Sequence, residues 1–185
     1  MVPGMRESLL KLKWIKAGLA ALYDDGPDGL RVEKLCDRMG VTKGSFYHHF
    51  TNLADYKIQL LEYWERESTS EIIRRASGEA TPQEQLLAMR HLTSTIPRSS
   101  EKAIRSWALH DPIAGRYQKK MDRERLKALE QIYGQIYETA EAESLAKLVC
   151  CLFVGAEQIM IPITKKELKE LYEFMIDRGR GRKQS

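Results

Sequence analysis

Between Gly40 and Asn52 the chain sets out Thr42, Lys43, Ser45, Tyr47, His48 and His49 around two apolar anchors, Phe46 and Phe50. Hydroxyl, ammonium and imidazole groups at this spacing are hydrogen-bond donors on one side of a short helix. Such a helix fits the major groove of a duplex, and its donors can reach phosphates or base edges. Arg38, Lys43 and Tyr47 are suited to phosphates, contacts that set register and bring salt dependence. From Arg38 to Ala54 there is no acidic residue. The spacing alone also fits an ordinary helical hairpin with a solvated basic face.

Other chemistries find fewer materials. The four histidines form no His-x-x-x-His or Glu-x-x-His pair, so no metal site is expected. No phosphate-cradling glycine loop, nucleophile elbow or Cys with a His partner is found, so no catalytic residue or cofactor is assigned and the chain is not read as an enzyme. Cys36, Cys150 and Cys151 are odd in number and poorly spaced for a disulfide framework, which points to a reducing cytoplasm. No apolar leader is visible at the N-terminus. The most apolar run, Leu148 to Ala156, is far short of the ~20 residues of a membrane span, so no membrane partner is expected.

Net charge is +4 across 185 residues, and its distribution says more than its size. Residues 1–52 carry eight Lys or Arg against six Asp or Glu, and residues 178–185 carry four against none. The intervening body is slightly acidic. One DNA-facing end on an otherwise neutral body has this pattern. The tail from Arg178 to Lys183 reads as a solvated basic end.

Helical spacing must position these groups, because no alternating strand pattern stands out. Leu12, Ile15, Leu19 and Leu22 define a first helix, ended by the run Asp24 to Gly29. Val32, Leu35, Cys36 and Met39 define a second, stopped by Gly40. Thr42 is placed to cap a third and Asn52 a fourth, the latter reaching about Ala76. Thr81-Pro82 with Glu84 opens a fifth to about Ile96, and Ser100 a sixth to His110. A seventh spans about 113–139, an apolar eighth about 142–161, and a ninth follows Thr164. The fold class expected is all-α with nine helices. Residues 1–52 form a DNA-binding domain, with its helix-turn-helix at about 33–52, and residues 53–185 form a second helical domain.

The stretch Trp14 to Asn52 resembles the N-terminal domain of the tetracycline-repressor (TetR) family without a gap. Ala17, Leu19, Gly26, Val32, Leu35, Arg38 and Gly40 match, and the run from Gly40 to Phe50 (GVTKGSFYHHF) is close to the family signature GVSKGTLYHHF. The resemblance is specific over about the first 65 residues and architectural beyond them. It implies a three-helix head on a helical ligand-binding and dimerisation body, acting as a ligand-responsive repressor on a palindromic operator of double-stranded DNA. The third helix becomes the recognition helix, with Arg31, Thr42, Lys43, Gly44, Ser45, Tyr47, His48 and His49 as DNA contacts. Arg31 stands where the family usually has Ser or Thr, and Asn52-Leu53 replaces the usual Ser-Lys; Lys57, one turn later, is a substitute cation.

The family forms homodimers through its last two long helices, for which Leu145, Leu148, Val149, Leu152, Leu168, Leu171, Tyr172 and Met175 are candidates here. A central core helix in a monomer would also account for the apolar eighth helix. For an unknown small-molecule effector, Trp64, Met89, Trp107, His110, Tyr117, Tyr133, Tyr137, Phe153 and Gln158 are candidate pocket residues, although plain core packing accounts for such aromatics equally well. A helical adaptor working through protein contacts is the alternative function.

Overall fold

The computed structural model describes residues 3–96 and 98–181, with side chains at 7–96 and 99–175. Among these residues there are nine helices and no strand. The head holds α1 (Pro3–Asp25), α2 (Val32–Met39) and α3 (Lys43–His49). Helix α4 runs unbroken through Leu53–Glu65, a π turn at Arg66–Ser70 and Glu71–Ala76. The body continues with α5 (Pro82–Thr93), α6 (Arg98–Ala108), α7 (Pro112–Tyr133), α8 (Thr139–Gln158) and α9 (Lys165–Gly181). No helix among the described residues is long and apolar enough to cross a membrane.

Four helix starts follow directly from local chemistry. Asn52 Oδ1 accepts from the Asp55 amide at 2.9 Å, and Asp55 Oδ2 accepts from the Thr51 amide at 2.9 Å. Thr81 and Glu84 form the expected capping box at α5. Thr164 and Glu167 repeat that reciprocal pattern before α9, at 2.7 and 3.2 Å. Asp111 Oδ1 takes the Ile113 and Ala114 amides at 2.8 and 3.1 Å, with Pro112 at the first helical position. Each cap satisfies amides that a helix cannot satisfy internally.

Helix α2 stops at Gly40, whose φ of 65° is left-handed. The Gly40 amide donates to Asp37 O at 3.2 Å and the Val41 amide to Cys36 O at 3.1 Å. That crossed pair is a Schellman closure, which a side chain with a Cβ makes at a steric cost. It sets the angle at which α3 leaves α2.

Several boundaries differ from the sequence expectation. Helix α7 ends at Tyr133 instead of running to 139, because Gly134 leads into a tight turn in which the Gln135 and Ile136 amides bond three residues back at 3.2 and 2.9 Å. Helix α8 accordingly starts at Thr139 and ends at Gln158, where Ile159 becomes extended. Thr42 occupies the N-cap position of α3, but its side chain makes no capping bond.

Two apolar clusters hold the molecule. The first gathers Trp14, Leu22, Leu35, Phe46, Phe50 and Tyr56 of the head and α4, and continues through Ile104, Trp107 and Met121 of the body. The second lies between α4, α5, α7 and α8, around Met89, Leu129, Tyr133, Leu145 and Ala146. Head and body therefore share one core across the position where the sequence divides them.

Beside these clusters lies a buried ionic network. Glu101, with a side chain 2% exposed, accepts from Arg105 at 2.8 Å and from Arg125 at 2.9 Å. Arg105 also pairs with Asp122 at 2.6 Å, and Gln118 donates to the same carboxylate at 3.1 Å. Arg125 reaches back to Thr69 Oγ1 at 2.9 Å, inside the π turn of α4.

Candidate nucleic-acid interface

Helix α3 has one side committed to the core. Phe46 and Phe50 are buried, and Trp14 meets Phe46 edge-on at 5.4 Å. Phe50 in turn meets Tyr56 at 4.9 Å and Phe46 at 5.2 Å. Fully buried aromatics in edge-to-face contact fix the rotation of a helix closely. The residues between them must then point outward.

Thr42, Lys43, Gly44, Tyr47 and His48 are exposed, while Ser45 and His49 are half-buried. Tyr47 is 55% exposed, and its ring leans on Phe46 at 5.3 Å, so its hydroxyl faces solvent on a supported ring. The His48 and His49 rings lie 5.1 Å apart. Burial, and then His48, lowers the His49 pKa below its ordinary value. These residues form one outward surface of polar and cationic groups.

Three cations of the head are paired with acids of the same chain. Arg31 bonds Asp28 at 2.9 Å in the 3-10 turn before α2. Arg38, expected at a phosphate, instead donates to Asp24 at 2.8 Å and Asp25 at 3.4 Å, and so straps α2 to the end of α1. Lys43 Nζ sits 2.5 Å from Glu33 Oε1, joining the first turn of α3 to that of α2. That hydrogen bond raises the Lys43 pKa and lowers that of Glu33. Spacing gave no hint of the Glu33 partner, which lies ten residues away. Lys11 was missed as well: its ammonium lies 5.6 Å from the centre of the Phe50 ring, beside the end of α3.

The profile of bacterial regulatory proteins of the tetR family matches residues 15–55, the segment containing this surface. Residues 15–55 thus resemble the N-terminal segment of the tetR family. Transcriptional regulator AcuR of Cereibacter sphaeroides is 38% identical over 58 residues, 31% of this chain and 26% of that regulator. The match thus spans about a quarter of that relative's length. Beyond the head the likeness is one of fold. A transcriptional regulator from Rhodococcus sp. Rha1 superimposes with a TM-score of 0.72 at 17% identity, over 91% of this chain and 94% of that one. The ketosteroid transcriptional regulator KstR2 of Mycobacterium tuberculosis gives 0.62 at 14%, over 92% and 93%.

In the helical body, the residues singled out for an effector do not form one group. Trp64 and Trp107 are buried in the first cluster, with Tyr117 packed against it. Met89, Tyr133 and Tyr137 belong to the second, where burial pushes Tyr133 up to about 12. Phe153 is half-buried, its ring centre 5.3 Å from the Arg125 guanidinium. His110 and Gln158 are exposed.

The residues singled out for a partner subunit also divide. Leu145 is buried in the second cluster and Val149 packs against it. Leu148 is 53% and Leu171 40% exposed, whereas Leu152, Leu168, Tyr172 and Met175 are half-buried. Phe174, which sequence reasoning passed over, is 59% exposed and flanks an open groove of about 570 Å³ with Ile163, Glu167, Glu170 and Leu171. The basic tail lies outside the residues with described side chains, and Arg182 and Lys183 lie outside the described residues altogether.

Proposed function

We propose that this chain is a regulator of the TetR family, a DNA-binding repressor that places α3 in the major groove and acts as a dimer on a palindromic operator. One observation carries the reading: Phe46 and Phe50 anchor α3 in the core, which turns Thr42, Lys43, Tyr47 and His48 outward together. A rigid helix presenting hydroxyl, ammonium and imidazole donors suits a groove lined by acceptors. Tyr47 and Thr42 then hold phosphates, while Lys43, Ser45 and His48 approach base edges. The exposed Leu148, Leu171 and Phe174 favour a second copy as the partner of α8 and α9, and a two-fold pair would space two α3 helices about one DNA turn apart.

Residues 1–52 then serve as the DNA-binding part and 53–185 as the effector and dimerisation part. Helix α4 belongs to both. A small-molecule effector works only if it binds the two head spacings with different affinity. Cytoplasmic DNA is the target in this reading.

Selection of fragments from a random duplex pool by the full chain tests the proposal. Recovery of a two-fold-symmetric sequence is the expected result. Recovery of no preferred sequence, or of one without symmetry, overturns the repressor or the dimer reading respectively.

A further inference from the structure

Three cations of the head carry an acidic partner, but only one of these pairs joins the two helices of the helix-turn-helix. Arg31 is held within the turn before α2, and Arg38 is held to α1. Lys43 alone is held across from α3 to α2, by Glu33. Both side chains are well exposed, at 58% and 61%, so the pair stands on the surface and not in the core. An exposed pair of this kind adds little to folding. Its effect falls on where the Lys43 ammonium is held.

A lysine is a point charge on a flexible four-carbon stem with three donors. Left alone beside a duplex, it swings to the nearest phosphate, which every sequence offers. Glu33 takes one of the three hydrogens and leaves two for another acceptor. A pinned ammonium therefore meets an acceptor only where the sequence places one in line, such as guanine O6 or N7 in the major groove.

We propose that Glu33 is a specificity-determining positioning residue, which pins Lys43 across the helix-turn-helix toward a base edge and away from the phosphates. The inference rests on the DNA-binding reading above. Glu33 itself touches no base in this arrangement. It acts through Lys43, and its removal converts a selective contact into a general one.

The test uses the full chain as wild type, Glu33→Gln, Lys43→Gln and the double variant, with the duplex selected from a random pool and a scrambled duplex of equal length and composition. Affinities are measured across a potassium chloride series, and the selection is repeated with Glu33→Gln. Expected for Glu33→Gln is binding to the scrambled duplex about five-fold tighter, with a salt slope steeper by about one, and no tightening on the selected duplex. The repeated selection should lose its preference at one position of each half-site. In the Lys43→Gln background, the Glu33 substitution should change neither affinity. Equal tightening on both duplexes, a larger gain on the selected one, no change at all, or a shift that persists without Lys43 would each overturn the proposal. A wild-type chain that prefers no duplex overturns the DNA reading itself and is told apart from these outcomes by that measurement alone.

Discussion

The Tyr56 hydroxyl donates to the Trp14 carbonyl oxygen at 2.9 Å, joining the start of α4 to the middle of α1 inside the head. Gly18 lies directly beneath that hydroxyl, and a methyl group there would overlap it and press on Leu60. The aromatic floor under α3 thus depends on a contact between helices 42 residues apart in the chain. Tyr56→Phe should cost about 1 kcal/mol, the net worth of a buried hydrogen bond. Gly18→Ala should cost about 1–3 kcal/mol through overpacking. Combined, the two should cost less than their sum, because the hydroxyl that the methyl strikes is gone. Urea unfolding of the three variants checks this, and strict additivity would refute the shared contact.

The Glu101 carboxylate neutralises Arg105 and Arg125 in the body, all three being at most 15% exposed. Glu101→Gln leaves two buried guanidinium groups short of charge, so a loss of about 3–5 kcal/mol is expected. Replacing the exposed Glu71, which pairs with Arg74 at 2.7 Å, should change stability far less. Thermal melts of the two variants side by side make the comparison.

Under the proposed DNA-binding reading, Tyr47 serves the interface and not the fold. Tyr47→Ala should weaken operator binding at least about ten-fold, while its unfolding free energy stays within about 0.5 kcal/mol of wild type. Fluorescence anisotropy and a urea titration measure the two quantities. Unchanged binding would remove Tyr47 from the contact surface.

Protonation of His49 opposes the folded head. Its folded pKa lies below the ordinary 6.5 because of burial, then His48, with Lys11 acting the same way and Glu7 against them. The unfolded chain therefore binds the proton more readily. This contribution to stability is complete above pH 6.5 and is lost as the pH falls toward the folded pKa. Melting temperatures at pH 7.5 and 5.5 should differ more in wild type than in His49→Gln.

Leu148 and Leu145 sit one turn apart on α8 with opposite burdens, at 53% and 6% exposed. Leu148→Asp should yield a folded monomer by light scattering. Leu145→Asp should unfold the body, since an unpaired charge would enter the second cluster. A Leu148→Asp dimer as tight as wild type would move the interface elsewhere.

Local signals made most of the fold readable beforehand. Asn52, the Thr81–Glu84 pair, Asp111 and Gly40 act within a few residues, and each marks a boundary where its chemistry requires one. Thr42 looked like the same kind of signal, yet it caps nothing with its side chain. The outward set from Thr42 to His48 was readable because the spacing of Phe46 and Phe50 fixes which side is buried. The partners of Arg38 and Lys43 were not, since an exposed acid announces nothing about which cation it will face. Leu145 could not be separated from Leu148 by hydrophobicity either; the packing of α7 against α8 distinguishes them. In the Glu101 network the Arg105 arm follows an i,i+4 spacing, but no spacing rule connects Glu101 to Arg125, 24 residues on, or Arg125 to Thr69.

The π turn at Arg66–Ser70 inserts one residue's worth of rotation into the helix that joins head to body. Each residue of an α-helix turns its successors by about 100°. Deleting one residue here would restore an ordinary helix and disturb the turn from which Thr69 meets Arg125. A length change in this segment should therefore be felt in the core that head and body share as well as at the reading surface.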